Sequence, residues 1–171
     1  MGYDHSHIDE GEEDMMKPIR IALALAVTAV FATGCSEAPE QTEQLTGPDA
    51  PEGIAVTNGR MMLPAVSGNP AAVYFDVVND GTSNRMIRAV SVEGAQNAML
   101  HVTDDTGMQE VLQIAVPAGE TVQFTPGGTH VMAMDLSDTV AAGGETEVTV
   151  TFVGGDKVSF PVEVRAAGEE R

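Results

Sequence analysis

Apolar and polar residues alternate along most of the region 54–167. In two runs, 148–152 and 158–164, valine or phenylalanine occupies every second position, with threonine, serine, proline or glutamate between them. A period of two predicts strands with one buried face. The sequence Gly154-Gly155-Asp156 separates the two runs and predicts the turn of an antiparallel hairpin. Pro161 lies inside the second run, which predicts an edge strand or a bulge there.

Shorter runs predict further strands at 71–78 and 86–92, around Val122 and Phe124, and around Val131 and Ala133. Between these runs, no long segment has apolar residues at the spacing of an amphipathic helix. Short strands at regular spacing, separated by turn residues, are typical of all-β domains. The pattern therefore predicts an antiparallel sandwich or Greek-key barrel, and about 115 residues is a usual size for one such domain.

The N-terminal region has the pattern of an exported protein. Within residues 16–34, a basic start is followed by eleven mostly apolar residues, which are too few to span a bilayer (about 20 are needed). This predicts a lipoprotein-type signal peptide with Cys35 as the lipidated residue, although Ala32 departs from the usual motif. The alternative is cleavage near the same place without a lipid, which leaves a free thiol.

Two further segments flank the signal peptide. Residues 1–15 carry six acidic side chains ahead of the basic start, which favours a non-native N-terminal extension with Met15 or Met16 as the true start. Residues 35–53 are polar, acidic and rich in proline, which predicts a flexible linker. The expected folded domain is therefore 54–167.

The charge balance excludes several classes of function. The chain has 26 acidic and 8 basic residues, a formal net charge of −18, so nucleic acid is not an expected partner. One cysteine allows neither an internal disulfide nor a four-cysteine zinc site. We find no nucleophile–histidine–acid set, P-loop or dinucleotide fingerprint, so the sequence does not indicate an enzyme.

Histidine and methionine provide the candidate chemistry. His130, Met132 and Met134 alternate along one predicted strand and share a face beside a Pro-Gly-Gly turn. Met108 follows the polar segment 103–107, which we interpret as a loop with His101 at its entrance. Thioether and imidazole without thiolate or carboxylate favour Cu(I) over Zn(II), Mg(II) or Ca(II).

Methionine on a strand is more often core filler than ligand. We therefore predict that Met61, Met62 and Met86 are core residues, and we favour the same role for Met134 because it lies deeper in its strand. For the pair His130 and Met132 this reading is weaker, since both are uncommon residues on one face beside a turn.

The segment PGGTHVMAMDL, residues 126–136, resembles the signature of the PCu(A)C-type periplasmic copper chaperones. In that family a His or Met is followed about ten residues later by a Met and, after twenty-one more residues, by His-x-Met. Here twenty-one residues separate Met108 from His130, and Met132 completes the motif. The segment 68–79 is similar to an early strand of the family, and the resemblance covers about residues 54–166.

The first ligand departs from this family pattern, because only six residues separate His101 from Met108. We take His101, Met108, His130 and Met132 as the metal ligands, with Met99 and Met134 as substitutes. On a strand Met99 and His101 point the same way, so either could face the metal.

The resemblance implies a cupredoxin-like β-barrel that carries Cu(I) in the periplasm and releases it by ligand exchange. The implied recipient is the copper centre of cytochrome c oxidase, on its copper-binding subunit, or another periplasmic copper chaperone. Membrane contact would occur only through the lipid on Cys35. Two alternatives stay open, namely an envelope copper buffer and a β-sandwich interaction module without metal.

Overall fold

The computed structural model describes residues 50–169, which form strands and turns and, over that range, no helix. No helix that could cross a membrane occurs among these residues. The strands are β1 (Ile54–Met62), β2 (Ala71–Asn79), β3 (Arg85–Val92), β4 (Ala95–Asp104), β5 (Gly107–Glu110), β6 (Ile114–Val116), β7 (Glu120–Phe124), β8 (Thr129–Leu136), β9 (Glu145–Phe152) and β10 (Lys157–Arg165). The predicted extension 1–15, the signal peptide 16–34, Cys35 and the linker up to residue 49 lie outside the described residues.

The strands form one hydrogen-bonded series in the order β5-β4-β8-β7-β2-β1-β10-β9-β3-β6, and β8 also pairs with β2. The β1–β10 and β7–β8 pairings are parallel, and the others are antiparallel. The predicted all-β class is therefore confirmed. This order brings β4 and β8, which are far apart in the sequence, into direct contact.

The core consists of the inward-facing valines and phenylalanines of the alternating runs. Phe75 on β2 stacks on Phe124 of β7 with 4.2 Å between ring centroids, and it meets Phe160 of β10 edge to face at 5.2 Å. All three are at most 1% exposed. Phe75 and Phe124 are register partners on neighbouring strands, whereas the contact with Phe160 joins β2 to β10 across β1. Both contacts pack the apolar interior.

The β9–β10 hairpin forms as predicted, with Gly154 and Gly155 both at positive φ in its turn. The prediction for Pro161 was wrong, because β10 lies between β9 and β1 and pairs with β9 without a register shift. Its pairing with β1 covers only Glu163–Arg165. Pro161 thus has a register partner on one side only, which reduces the cost of its missing N–H.

The predicted core methionines divide into two groups. Met61 and Met62 are buried, as predicted, whereas Met86 is 36% exposed. Ile87, the next residue, occupies the inward position of β3, so the alternation of the strand turns Met86 outward. Met134 is also not a core residue, because it lies half-buried on the outward face of β8.

The last residues of the expected linker already contact the domain. Pro51 is buried, and the amide of Asp80 donates a 2.8 Å hydrogen bond to the carbonyl of Gly53. Gly53 has a φ of +78°, and a Cβ there would lie 2.4 Å from the amide nitrogen of Gly81. Only glycine fits so close an approach, so residues 50–53 are part of the packed structure.

Candidate metal centre

The β4–β8 ladder brings the sequence-predicted residues together. His101 is the register partner of His130, and Met99 is the partner of Met132. Partners in an antiparallel pair project from the same face. The alternate residues Leu100 and Val131 are buried in the core, so the histidines and methionines lie on the outward face.

Met108 reaches this face through a tight hairpin rather than the predicted loop. β4 continues to Asp104 and β5 returns from Gly107, so that Thr103 and Met108 become register partners. The loop prediction failed because polar residues on an exposed edge strand resemble a loop in sequence. The hairpin places Met108 on the same face as His101, two residues before its partner Glu110.

A local network holds the β4–β5 turn. The carboxylate of Asp104 accepts hydrogen bonds from the amide and the hydroxyl of Thr106, at 2.7 and 2.5 Å. These bonds lower the pKa of Asp104. The side chain of Gln109 donates to the Thr106 hydroxyl at 2.8 Å. The turn therefore positions β5, and with it Met108, through short contacts of its own.

The hydrogen bonding of His130 defines which ring nitrogen is free. Its Nδ1 lies 2.9 Å from the carbonyl oxygen of Gly128. A carbonyl can only accept, so Nδ1 carries the hydrogen, and in the neutral ring the lone pair is on Nε2. That Nε2 lies 3.3 Å from Sδ of Met108. Two electron-pair donors thus face each other at a distance at which both can bind the same ion.

His101 stacks beside this pair. The ring centroids of His101 and His130 are 5.8 Å apart, with an angle of 27° between the planes. Both ring nitrogens of His101 are buried and have no hydrogen-bond partner within residues 50–169. Buried ring nitrogens without a partner are costly, so their position needs a further explanation, such as an ion that they bind.

The exposure of the predicted residues differs. His130 is only 6% exposed, while Met108 is 53% exposed. Met99, His101, Met132 and Met134 are half-buried. The histidines are therefore held by the surrounding strands, and Met108 is the donor most open to solvent.

Sequence reasoning missed Tyr74, which packs beside His130, and Arg60, which packs on Tyr74. The ring of Tyr74 on β2 lies 6.4 Å from the His130 ring, and the guanidinium of Arg60 lies 4.9 Å above the Tyr74 ring. Both contacts depend on the β1–β2 and β2–β8 registers, which a single sequence does not reveal. Tyr74 packs beside His130 on the side away from Met108's hairpin, because β2 and β5 lie on opposite sides of the β4–β8 pair. Arg60 contacts Tyr74 in turn.

The donor set suits a soft ion. Among residues 50–169 no group of three or more His, Cys, Asp or Glu side chains could hold a metal ion. The convergent donors are imidazole and thioether, which prefer Cu(I) to the harder divalent ions. A centre with an exposed thioether at one side could also exchange ligands with an incoming partner.

Comparison with protein families gives one match over the whole domain. A family model described as "LpqE-like: Putative lipoprotein LpqE-like" matches residues 54–164. A protein of Leifsonia xyli subsp. xyli (strain CTCB07), named "Putative lipoprotein Lxx21020", is 29% identical over 158 residues, covering 88% of this chain and 93% of its own length.

Solved structures with a similar fold are PCuAC domains and a copper protein. The apo PmoF2 PCuAC domain has a TM-score of 0.62 at 22% identity, covering 75% of this chain and 98% of its own. The copper-bound PmoF2 domain gives 0.59 at 22%, with 71% and 95% covered. CuI-DR1885 from Deinococcus radiodurans gives 0.56 at 20%, with 77% and 85% covered. These similarities confirm the cupredoxin-like β-sandwich and, at the level of fold, the resemblance stated above.

Proposed function

We propose that this chain, which belongs to the LpqE-like family, is a Cu(I)-binding metallochaperone of the cell envelope. The observation that carries the proposal is the 3.3 Å contact between Nε2 of His130 and Sδ of Met108. Because Nδ1 is engaged by the Gly128 carbonyl, the lone pair of the neutral ring points at the thioether. One soft ion bonded to both atoms satisfies this arrangement.

The proposed ligands are His101, Met108, His130 and Met132. His101 is preferred to Met99 as the first ligand because its ring stacks beside His130 and its nitrogens lack partners. Met99 instead lies opposite Met132, two residues along the strands from the His101–His130 pair. Two solved structures of the same fold are described as copper-bound or as containing CuI, which supports this choice of ion.

Release would occur by ligand exchange, with no bond of a substrate made or broken. Met108 is 53% exposed and sits on a short edge hairpin, so a donor from a partner can approach from that side first. The buried His130 would release the ion last. The recipient we propose is the copper-binding subunit of cytochrome c oxidase, or another copper chaperone of the envelope.

We also propose that the protein is anchored to a membrane by a lipid on Cys35 and works in the periplasm. The names of the family and of the relative from Leifsonia xyli both contain the word lipoprotein. A linker of about 15 residues behind Cys35 would let the domain reach partners at the membrane surface. Mass spectrometry of the mature N-terminus tests the start, the cleavage point and the lipid together.

Competition with a chromogenic Cu(I) chelator tests copper binding. Wild-type protein should withdraw one equivalent of Cu(I), and Met108→Leu should weaken the affinity by about tenfold. Met86→Leu is the matched control, since Met86 is an exposed methionine on another strand and should have no effect. Absence of competition by the wild type would refute the proposal and favour an interaction module without metal.

A transfer assay separates the chaperone from a copper buffer with the same site. The Cu(I)-loaded protein is mixed with the apo copper domain of an oxidase, and the metal on each protein is measured after separation. Transfer to the oxidase domain but not to an equal concentration of unrelated apo copper protein supports delivery. Retention of copper on the loaded protein would favour the buffer.

A further inference from the structure

Beside the proposed centre lies a patch of three thioethers, which we name the thioether patch: Met99, Met132 and Met134. Met99 and Met132 are register partners on β4 and β8, and Met134 follows Met132 on the same face. All three are half-buried on the outward side of the sheet. They are thus neither core residues nor fully solvated ones.

The distribution of methionine makes this patch unusual within the domain. Residues 50–169 contain seven methionines, of which Met61 and Met62 are core residues and Met86 is isolated on β3. The other four lie on the His101–His130 face. One of these four, Met108, contacts His130. The other three lie together, beginning with the Met99–Met132 pair two residues along the strands from His101 and His130.

The spacing allows the three sulfurs to meet. Cross-strand partners have Cβ atoms about 4.5–5.5 Å apart, and diagonal neighbours such as Met99 and Met134 are about 7–8 Å apart. Residues two apart on a strand are separated by roughly 6.6 Å. A methionine carries its sulfur two bonds beyond Cβ on flexible torsions, so the three thioethers can converge on one ion.

The neighbouring strand leaves room for this convergence. Ala72 is the partner of Met132 on β2, and its methyl group places nothing bulky over the patch. On the other side, the β5 register ends at Glu110, opposite His101, and the next amide, that of Val111, donates to the carbonyl of Leu100. The register neighbours of the patch are thus small or polar, namely Ala72 beside Met132 and Asn97 opposite Met134.

We infer that Met99, Met132 and Met134 form a second Cu(I) position, made of thioethers alone, which shares Met132 with the His–Met centre. This inference rests on the proposed function. An ion moving from the patch to the centre exchanges its bonds to Met99 and Met134 for bonds to His101, His130 and Met108, and keeps its bond to Met132. No electron is transferred, and copper stays Cu(I) throughout.

A variant without the two imidazoles isolates the patch. In His101→Ala/His130→Ala, chelator competition should reveal residual Cu(I) binding that is weaker than that of the wild type but measurable. Adding Met99→Leu and Met134→Leu should weaken this residual binding about tenfold or more. Leucine is close to methionine in size and apolar character, so packing is largely preserved. Met86→Leu in the same background is the matched control and should have no effect.

Methyl NMR of ¹³C-labelled methionine gives a second readout on wild-type protein, which does not depend on a folded alanine variant. During titration with Ag(I), a monovalent and redox-stable probe, the methyl signals of Met99, Met132 and Met134 should shift along with that of Met108. The Met86 signal should stay in place.

The outcomes separate the inference from the proposed function. If Met108 and Met132 shift while Met99 and Met134 do not, or if the alanine variant binds no Cu(I) while folded, the second position is overturned and the first is retained. If Met108 does not shift and wild-type protein does not compete for Cu(I), the proposed function itself fails. Loss of residual binding only with the two leucine changes supports the inference.

Discussion

The β4–β8 pair and the β9–β10 pair are both antiparallel ladders with apolar inner faces, yet their outer faces differ in chemistry. Val131 in one and Val150 in the other are equally buried. On the outer face of β9–β10, Thr149 and Ser159 join hydroxyl to hydroxyl at 2.7 Å. On the outer face of β4–β8, His101 and His130 stack, and both ring nitrogens of His101 lack a hydrogen-bond partner within residues 50–169.

This difference separates the residues that hold the fold from those that can bind an ion. Hydroxyl pairs satisfy each other and need no third group. A neutral imidazole and a thioether at short distance do not satisfy each other, since Nε2 of His130 and Sδ of Met108 both offer lone pairs. The shared inner pattern holds each strand in place, and the outer residues of one pair are then free to act as ligands.

The largest expected effect is on Cu(I) affinity, when a residue on the outer face of β4–β8 is replaced and compared with one on the outer face of β9–β10. His130→Ala should lower the Cu(I) affinity by about 100-fold, equivalent to about 2.8 kcal/mol, because a buried and preoriented donor is lost. Thr149→Ala on β9 should leave the affinity unchanged. Chelator competition measures both, and thermal unfolding of the apo proteins shows whether either change acts through stability instead. An equal loss of copper affinity in both variants would contradict the comparison.

The inner faces should behave alike. Val131→Ala and Val150→Ala each remove buried methyl groups and should lower the free energy of unfolding by about 2 kcal/mol. Denaturant titration of the apo proteins measures this, and the Cu(I) affinity of the folded protein should stay close to that of the wild type. If Val131→Ala abolished copper binding while leaving stability intact, the inner face would itself be part of the site.

The smallest effect concerns the two turns. Hydrogen bonds from Thr106 lower the pKa of Asp104, so the stabilising effect of its carboxylate is present at neutral pH and is lost as the pH falls through that lowered pKa. The β9–β10 turn depends instead on main-chain bonds, such as Phe152 N–H to the carbonyl of Asp156 at 2.9 Å. Acidification, or Asp104→Ala at neutral pH, should therefore loosen the β4–β5 turn selectively.

Amide hydrogen exchange tests this last expectation. The Thr106 amide should exchange severalfold faster in Asp104→Ala, as expected for the loss of one exposed hydrogen bond. The Phe152 amide should be unaffected and serves as the internal control. Equal acceleration at both amides would indicate a general loss of stability, not a local effect on the turn that carries Met108.

Much of the fold follows from local pattern. The period of two predicted the long strands, and Gly154-Gly155-Asp156 predicted the last hairpin, because alternation and turn residues act over a few positions. The prediction failed for Pro161 and Met86, whose environments depend on which strands lie beside β10 and β3. Strand neighbours are set by long-range pairing, which alternation along one strand does not encode.

For the candidate site, the sequence by itself determined the types of donor, the common face of His130, Met132 and Met134, and the spacing to Met108. Only the tertiary structure decided that His101 lies opposite His130, that a hairpin brings Met108 within 3.3 Å of Nε2, and that Tyr74 packs beside the ring. The physical reason is register. Which residues meet across two strands depends on hydrogen bonds between distant parts of the chain, and a shift of one residue would have turned these side chains to the opposite face.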